Sequence, residues 1–248
     1  MIPMMTLKFA RSLTLLLVLS TAATVQAGQI QYITPAGSTT KDGSVDAEAF
    51  FTLSNGSLQL TLTNLFANPK ADAQTLSAIS FKVSGATGSG ALTTTGSGLI
   101  TNISSGGAYT AGVTDPLNRW DATLSGSTVD LTTLTGGKPN RLIIGADSKG
   151  NFDPALGGKY SNANPSIVQH TPMVLGSATF DILIKGITEG SKISDVIFQF
   201  GTAAGSNQVA GEAVIHHAPE PSTFALLGLG GAGFAIRTYR RRRAAAAV

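Results

Sequence analysis

Between residues 28 and 218 apolar and polar positions alternate with a period of two, the pattern of half-buried strands. Residues 45–53 read Val-Asp-Ala-Glu-Ala-Phe-Phe-Thr-Leu. Residues 58–65 place Leu58, Leu60 and Leu62 on one face and Gln59, Thr61 and Thr63 on the other. The Asn55-Gly56 pair between them predicts a type I′ hairpin turn, with one face of the hairpin packed on a second sheet and the other in water. Residues 29–34 predict a first, edge strand. Further strands are expected at 76–83, where Ile79, Phe81 and Val83 share a face, at 120–124, 141–145 and 177–184, and at 193–201, where Val196, Phe198 and Phe200 share a face. Residues 84–112 are rich in Gly, Ser and Thr and read mainly as turns, with a short strand around 99–103. Residues 147–165 read as a long polar loop, 71–76 as a short helix and 207–218 as a linker. Many short strands with turn signals between them predict an all-β ectodomain, an antiparallel β-sandwich or jelly-roll-like fold.

The pattern changes at both ends. Residues 1–27 carry Lys8 and Arg11, then the apolar run 13–19, then Val25-Gln26-Ala27 with small residues at −3 and −1. This is the layout of a secretory signal peptide, with cleavage expected between Ala27 and Gly28. At the other end Pro219-Glu220-Pro221 precedes the uncharged stretch 224–236, followed by Arg240 to Arg243 and an alanine-rich end at 244–248. The uncharged stretch gives roughly 20 Å of helix, short of the roughly 30 Å of a bilayer core even when extended to 223–239. Its four glycines each weaken the helix by up to about 1 kcal/mol relative to alanine. A marginal span suits a segment that is inserted and then cut. The arginines would stay cytoplasmic under the positive-inside rule, which puts everything before the span outside the inner membrane.

A polar Pro-Glu-Pro motif, a short apolar helix and a basic stop together resemble the PEP-CTERM sorting tail of Gram-negative bacteria that make exopolysaccharide and biofilm. The resemblance covers residues 219–243. It implies Sec export, signal peptidase, and an exosortase-type membrane protease that recognises Pro219, Glu220 and Pro221 as its partners. It also implies transient inner-membrane anchoring and a destination at the cell surface or in the extracellular matrix, with exopolysaccharide as a candidate partner. Residues 49–65, 160–167 and 198–202 are similar to segments of one group of small PEP-CTERM proteins without an established activity. The organisation expected is a signal peptide at 1–27, an ectodomain at 28–206, a linker at 207–218 and the sorting tail at 219–243.

Charge counts alter one conclusion. The whole chain has 17 Lys and Arg against 14 Asp and Glu. Residues 28–218 alone hold ten against thirteen and are mildly acidic. The basic balance therefore belongs to the ends, and no nucleic-acid partner is expected. There is no cysteine among the 248 residues, which excludes disulfides, thiol catalysis and thiolate metal sites.

Candidate chemistry in the body is sparse. Asp147, Asn151 and Asp153 offer oxygen ligands at alternate positions, as calcium loops do. Lys149 interrupts the series and no glutamate follows at EF-hand spacing, so a solvated turn is the competing reading. His170 has no histidine near it in sequence, and the adjacent His216 and His217 would point opposite ways in an extended chain. No Gly-x-Ser-x-Gly elbow is present. Asp46 and Glu48 could form a carboxylate pair but share a face that alternates with apolar residues. Trp120 reads either as a core residue or as an exposed ring that stacks on a sugar. Thr61, Thr63 and Thr93 to Thr95 form no regular ladder along the sequence. The reading is a non-enzymatic structural or adhesive protein without cofactor or metal. A carbohydrate-binding module and a secreted hydrolase are the alternatives.

Overall fold

A computed structural model describes residues 29–150, 157–161 and 163–214. The first half contains β1 (Ile30–Ile33), β2 (Thr39–Thr40), β3 (Gly43–Ser44), β4 (Ala47–Ser54), β5 (Ser57–Asn64), β6 (Leu76–Val83), β7 (Gly90–Ala91), β8 (Thr94–Thr101) and β9 (Ala108–Tyr109). Then come β10 (Val113–Asp115), β11 (Asp121–Ser125), β12 (Thr128–Thr132), β13 (Ile143–Ile144), β14 (Gly158–Lys159), β15 (Met173–Leu183), β16 (Ile193–Phe200), β17 (Gln208–Ala210) and β18 (Glu212–Val214). Among the described residues helix is confined to a 3₁₀ turn at Asp72–Gln74, within the expected 71–76, and to α1 (Pro165–Gln169), capped by the Asn164 side chain accepting from Ser166 N–H.

Fourteen of the described strands form one large sheet, in the order β18-β1-β4-β5-β15-β13-β6-β12-β11-β7. β8 and β10 continue beyond β15, and β16 and β17 beside β6. The described domain is all-β with almost no helix, as its alternation predicts. The pairing is mostly antiparallel, and the exception among the described strands is β13 with β15, which run parallel. β13 is only two residues long, yet it joins β15 on one side and β6 on the other.

The inward-facing residues are the predicted ones. Ala47, Ala49, Phe51 and Leu53 of β4, Leu58, Leu60 and Leu62 of β5, and Ile79, Phe81 and Val83 of β6 are all buried. Phe51 meets Phe81 edge-on, with ring centroids 5.0 Å apart, so β4 and β6 face one another across the core despite their distance in the sheet order. Each of the Leu, Ile, Val and Phe side chains contributes about 1.5–3 kcal/mol by burial. Tyr32 of β1 donates its hydroxyl to the Ile193 carbonyl of β16, at 2.8 Å, across the same core. A second, smaller cluster gathers Ile103, Tyr109, Leu142, Ile144, Tyr160, Ile167, Met173 and Leu175.

Four local expectations are corrected. β1 is not an edge, because β18 pairs with it on the side away from β4. Residues 208–210 and 212–214, expected as linker, are strands. They are short and lack the alternation of large apolar residues, so their pairing partners define them rather than their own pattern. The Asn55-Gly56 turn is not type I′, which needs positive φ at both residues. Only Gly56 has it, at +79°. The Gly56 amide is held by the Ile187 carbonyl and the Gly56 carbonyl by the Ile184 amide, so a distant loop sets the peptide orientation.

The fourth correction concerns residues 84–112. They hold a full eight-residue strand, β8, which pairs with β15 and β10. Gly96 and Gly98 occupy inward positions of this strand, where a side chain is missing for a steric reason. A Cβ on Gly96 would lie 2.9 Å from Phe180, and one on Gly98 2.9 Å from Val174, with Leu117 pressing on both. Gly96→Val is expected to cost about 1–3 kcal/mol through overpacking, while Ser97→Val on the outward face stays within about 0.5 kcal/mol. The urea midpoints of the two variants check this directly.

Candidate functional site: a hydroxyl-lined groove

The outward face over β8, β15 and β5 carries the groups that the sequence left scattered. Because inward positions alternate with outward ones, Thr61 and Thr63 of β5 point away from Leu60 and Leu62. The register brings Thr61 opposite Thr179, Thr63 opposite Ser177, and Thr179 opposite Ser97. A further row pairs Thr95 with Asp181, Asp181 with Gln59, and Gln59 with Thr52. Thr61 and Thr179 exchange a hydrogen bond at 3.2 Å, and Gln59 donates to Asp181 at 3.0 Å. The ladder absent along the chain exists across strands, where only pairing register can create it.

This face is hollowed at one place into a groove of about 480 Å³. The pairing of β15 with β8 shifts register between Val174 and Ala178, and Gly176 inside that bulge has φ +71°. The backbone of Gly98 and Gly176 lines the groove. Thr63, Ser97, Thr114, Ser177 and Thr179 present hydroxyls, and Leu65, Leu99 and Leu175 supply apolar surface between them. None of these lining residues is charged.

The outer wall is fixed by an ion pair. Thr114 lies on β10, opposite Leu99. Its neighbour Asp115 accepts from the Arg141 guanidinium at 3.0 Å and from the Leu117 amide at 2.8 Å. Burial alone would raise the Asp115 carboxyl. The Arg141 hydrogen bond, the Leu117 amide and the Arg141 charge outweigh it and hold the group below the usual carboxylate range. A carboxyl depressed in the folded state stabilises the protein above its ordinary pKa, and that contribution disappears as pH falls through the folded value. Asp115→Asn is therefore expected to lower the urea midpoint at neutral pH and to flatten the loss of stability below about pH 4. A pH series of urea titrations on both proteins measures it.

The expected site residues fall differently. Trp120 is 3 % exposed, stacks at 5.0 Å on Phe180, and donates its indole N–H to the Arg141 carbonyl at 2.9 Å. It has no face for a sugar, which corrects that reading: the ring lies in the core against Phe180, the side chain that packs under Gly96 of β8. Asp147 is 2 % exposed, and its carboxylate accepts the Lys149 amide at 2.8 Å and the Lys159 amide at 3.4 Å. Asn151 and Asp153 lie outside the described residues, as do Ala27, Gly28, His216, His217, Pro219, Glu220 and Pro221. Among the described residues no three His, Cys, Asp or Glu come close enough to hold a metal. His170 holds the Pro139 carbonyl at 2.7 Å through Nδ1. Asp46 accepts from Thr34, and Glu48 from Gln31, so each is tied to its own neighbouring strand. No helix among the described residues is long and apolar enough to cross a membrane.

What these observations define is an all-β domain with a neutral hydroxyl groove on its outer face. The family model of the PEP-CTERM protein-sorting motif matches residues 217–242. The chain is thus a PEP-CTERM-tailed protein, and the motif implies extracytoplasmic sorting through the exosortase and Sec systems to which such tails are generically linked. No curated protein and no solved structure matches the chain.

Proposed function

We propose that this protein is an exported, non-enzymatic component of the cell surface or extracellular matrix, structural or adhesive in role and associated with exopolysaccharide. The PEP-CTERM match at residues 217–242 carries the reading. In it, Sec export is followed by cleavage after Ala27, insertion of the apolar stretch 224–236, and exosortase action at Pro219, Glu220 and Pro221. We read the mature part as a β-sandwich, with β18-β1-β4-β5-β15-β8-β10 facing β17-β16-β6-β12-β11-β7 across the Phe51–Phe81 contact. β18 ends at Val214, five residues before Pro219. At full extension those five residues span at most about 18 Å. The protease would thus act close to the edge of a domain whose last described strand is already paired to β1.

The intact mass of the protein recovered from its native envelope and medium tests this reading. A product that starts at Gly28 and ends near Pro219 to Pro221 is expected from the wild type. Glu220→Ala is expected to leave residues 224–248 attached. A wild-type mass that retains that stretch would argue instead for a permanent membrane tether.

A further inference from the structure

We propose that the groove over the β15 bulge binds a segment of an uncharged polysaccharide chain. The inference rests on the reading of the protein as an exported matrix component and adds the class of ligand and its site. The lining supplies hydroxyls from four strands and no charge, with Ser97 and Thr114 on one side, Ser177 in the middle and Thr63 on the other. A serine or threonine hydroxyl donates one hydrogen bond and accepts two. Such a lining satisfies a ligand that is itself built of hydroxyls. It offers no positive charge to offset the desolvation of a carboxylate or sulfate, which without a charged partner is costly.

The apolar part of the lining fits the same ligand. Leu99 and Leu175 lie between the hydroxyls, as the C–H faces of a pyranose ring lie between its hydroxyl edges. The volume of about 480 Å³ falls within the roughly 300–1,000 Å³ of small-ligand sites. The groove also has its own structural cause. β15 has hydrogen-bonded neighbours on both sides, and a register shift with positive φ at its glycine interrupts it beneath the groove. Bulges are over-represented beside functional sites, where they re-aim side chains. The hydroxyl rows run on past the groove through Thr61 and Thr95, spaced roughly 4.8 Å across strands and 6.7 Å along them. A polymer longer than the groove therefore meets further hydroxyls at Thr61 and Thr95 on leaving it, and the Gln59–Asp181 pair beside Thr95.

Affinity electrophoresis of the full chain in detergent tests the assignment, with dextran, galactomannan or xyloglucan as neutral polymers and alginate or hyaluronan as anionic ones. Retardation by at least one neutral polymer and by neither anionic one is expected. The combined Ser97→Val, Thr114→Val and Ser177→Ala variant is expected to bind at least about tenfold more weakly, since three hydrogen bonds are lost. Its urea midpoint should stay near that of the wild type, because all three side chains are exposed. Ser177→Trp, which fills the groove, should abolish retardation. The proposal is overturned if no neutral polymer retards the protein, if the anionic polymers bind, or if the triple variant binds as the wild type does. A processed, exported protein that fails this test would leave the sorting reading intact. Binding by a chain that is never processed would do the reverse.

Discussion

Gly145→Ala is expected to prevent accumulation of the folded protein. A Cβ at position 145 would overlap the carbonyl oxygen of Phe66 and approach the Asn64 carbonyl oxygen to 3.0 Å. Both obstacles are backbone, so no rotamer change relieves them. Position 145 immediately follows β13, the two-residue strand that joins β15 to β6. Its carbonyl accepts the hydroxyl of the buried Tyr160 at 2.8 Å, and the next carbonyl, of Ala146, accepts the Asn68 amide at 2.7 Å. Burial, then the nearby Tyr109 and Asp147, push the Tyr160 phenol far above its ordinary value, so it remains a donor throughout the working pH range. Moving residue 145 away from Phe66 breaks these bonds together. Overpacking alone costs about 1–3 kcal/mol, and buried backbone groups left unpaired add about 1–3 kcal/mol each. The sum approaches the 5–15 kcal/mol total stability of a typical domain. Gly190→Ala, whose Cβ meets nothing closer than 3.8 Å, is the control and should express and unfold like the wild type. Soluble yield and near-ultraviolet circular dichroism of the two variants decide the matter.

Asn64→Ala is expected to cost about 3–5 kcal/mol, because one buried side chain serves three backbone partners, two of them in fully buried hydrogen bonds. Asn64 is fully buried at the end of β5. Its amide donates to the carbonyls of Gln74 and Ile143, each at 2.9 Å, and its oxygen accepts the Phe66 amide at 3.1 Å. It therefore ties β5 to the 3₁₀ turn and to β13. Asn64→Asp keeps the shape but sets an acceptor-only group against two carbonyl oxygens. It should be at least as damaging at neutral pH and recover part of the loss in acid, where the carboxyl regains a proton to donate. Urea midpoints at neutral and acid pH separate the two substitutions. Equal stability of Asn64→Ala and wild type would show that the three strand ends hold together without this residue.

Alternation alone was enough to place β4, β5, β6 and β16 and to choose their inward faces. A period-two pattern of Leu, Ile and Phe allows only one side of a strand to be buried, and Phe51, Leu60, Phe81 and Phe198 are where that pattern puts them. The C-terminal tail was equally legible, because a sorting signal is read as linear sequence and needs no fold. β8 was not legible: its inward positions include glycines, and a glycine shows no hydrophobic signal even when it faces the core. β17 and β18 were hidden because three residues hold too little pattern to stand out from a linker.

The groove was out of reach for a different reason. Ser97, Thr114, Ser177, Thr179 and Thr63 are spread over 117 positions of the sequence and share no motif. They meet because β5, β15, β8 and β10 pair in one register, and the bulge at Gly176 opens space among them. Trp120 shows the same limit in reverse: its type allows a sugar platform or a core plug, and Phe180 and the Arg141 carbonyl decide for the core. The sequence by itself determined the class of fold, the inward faces and the sorting signal, since each depends on local order along the chain. Strand order, the filled core under β8 and the neutral hydroxyl groove were decided by tertiary structure, because each depends on which distant segments hydrogen-bond to one another.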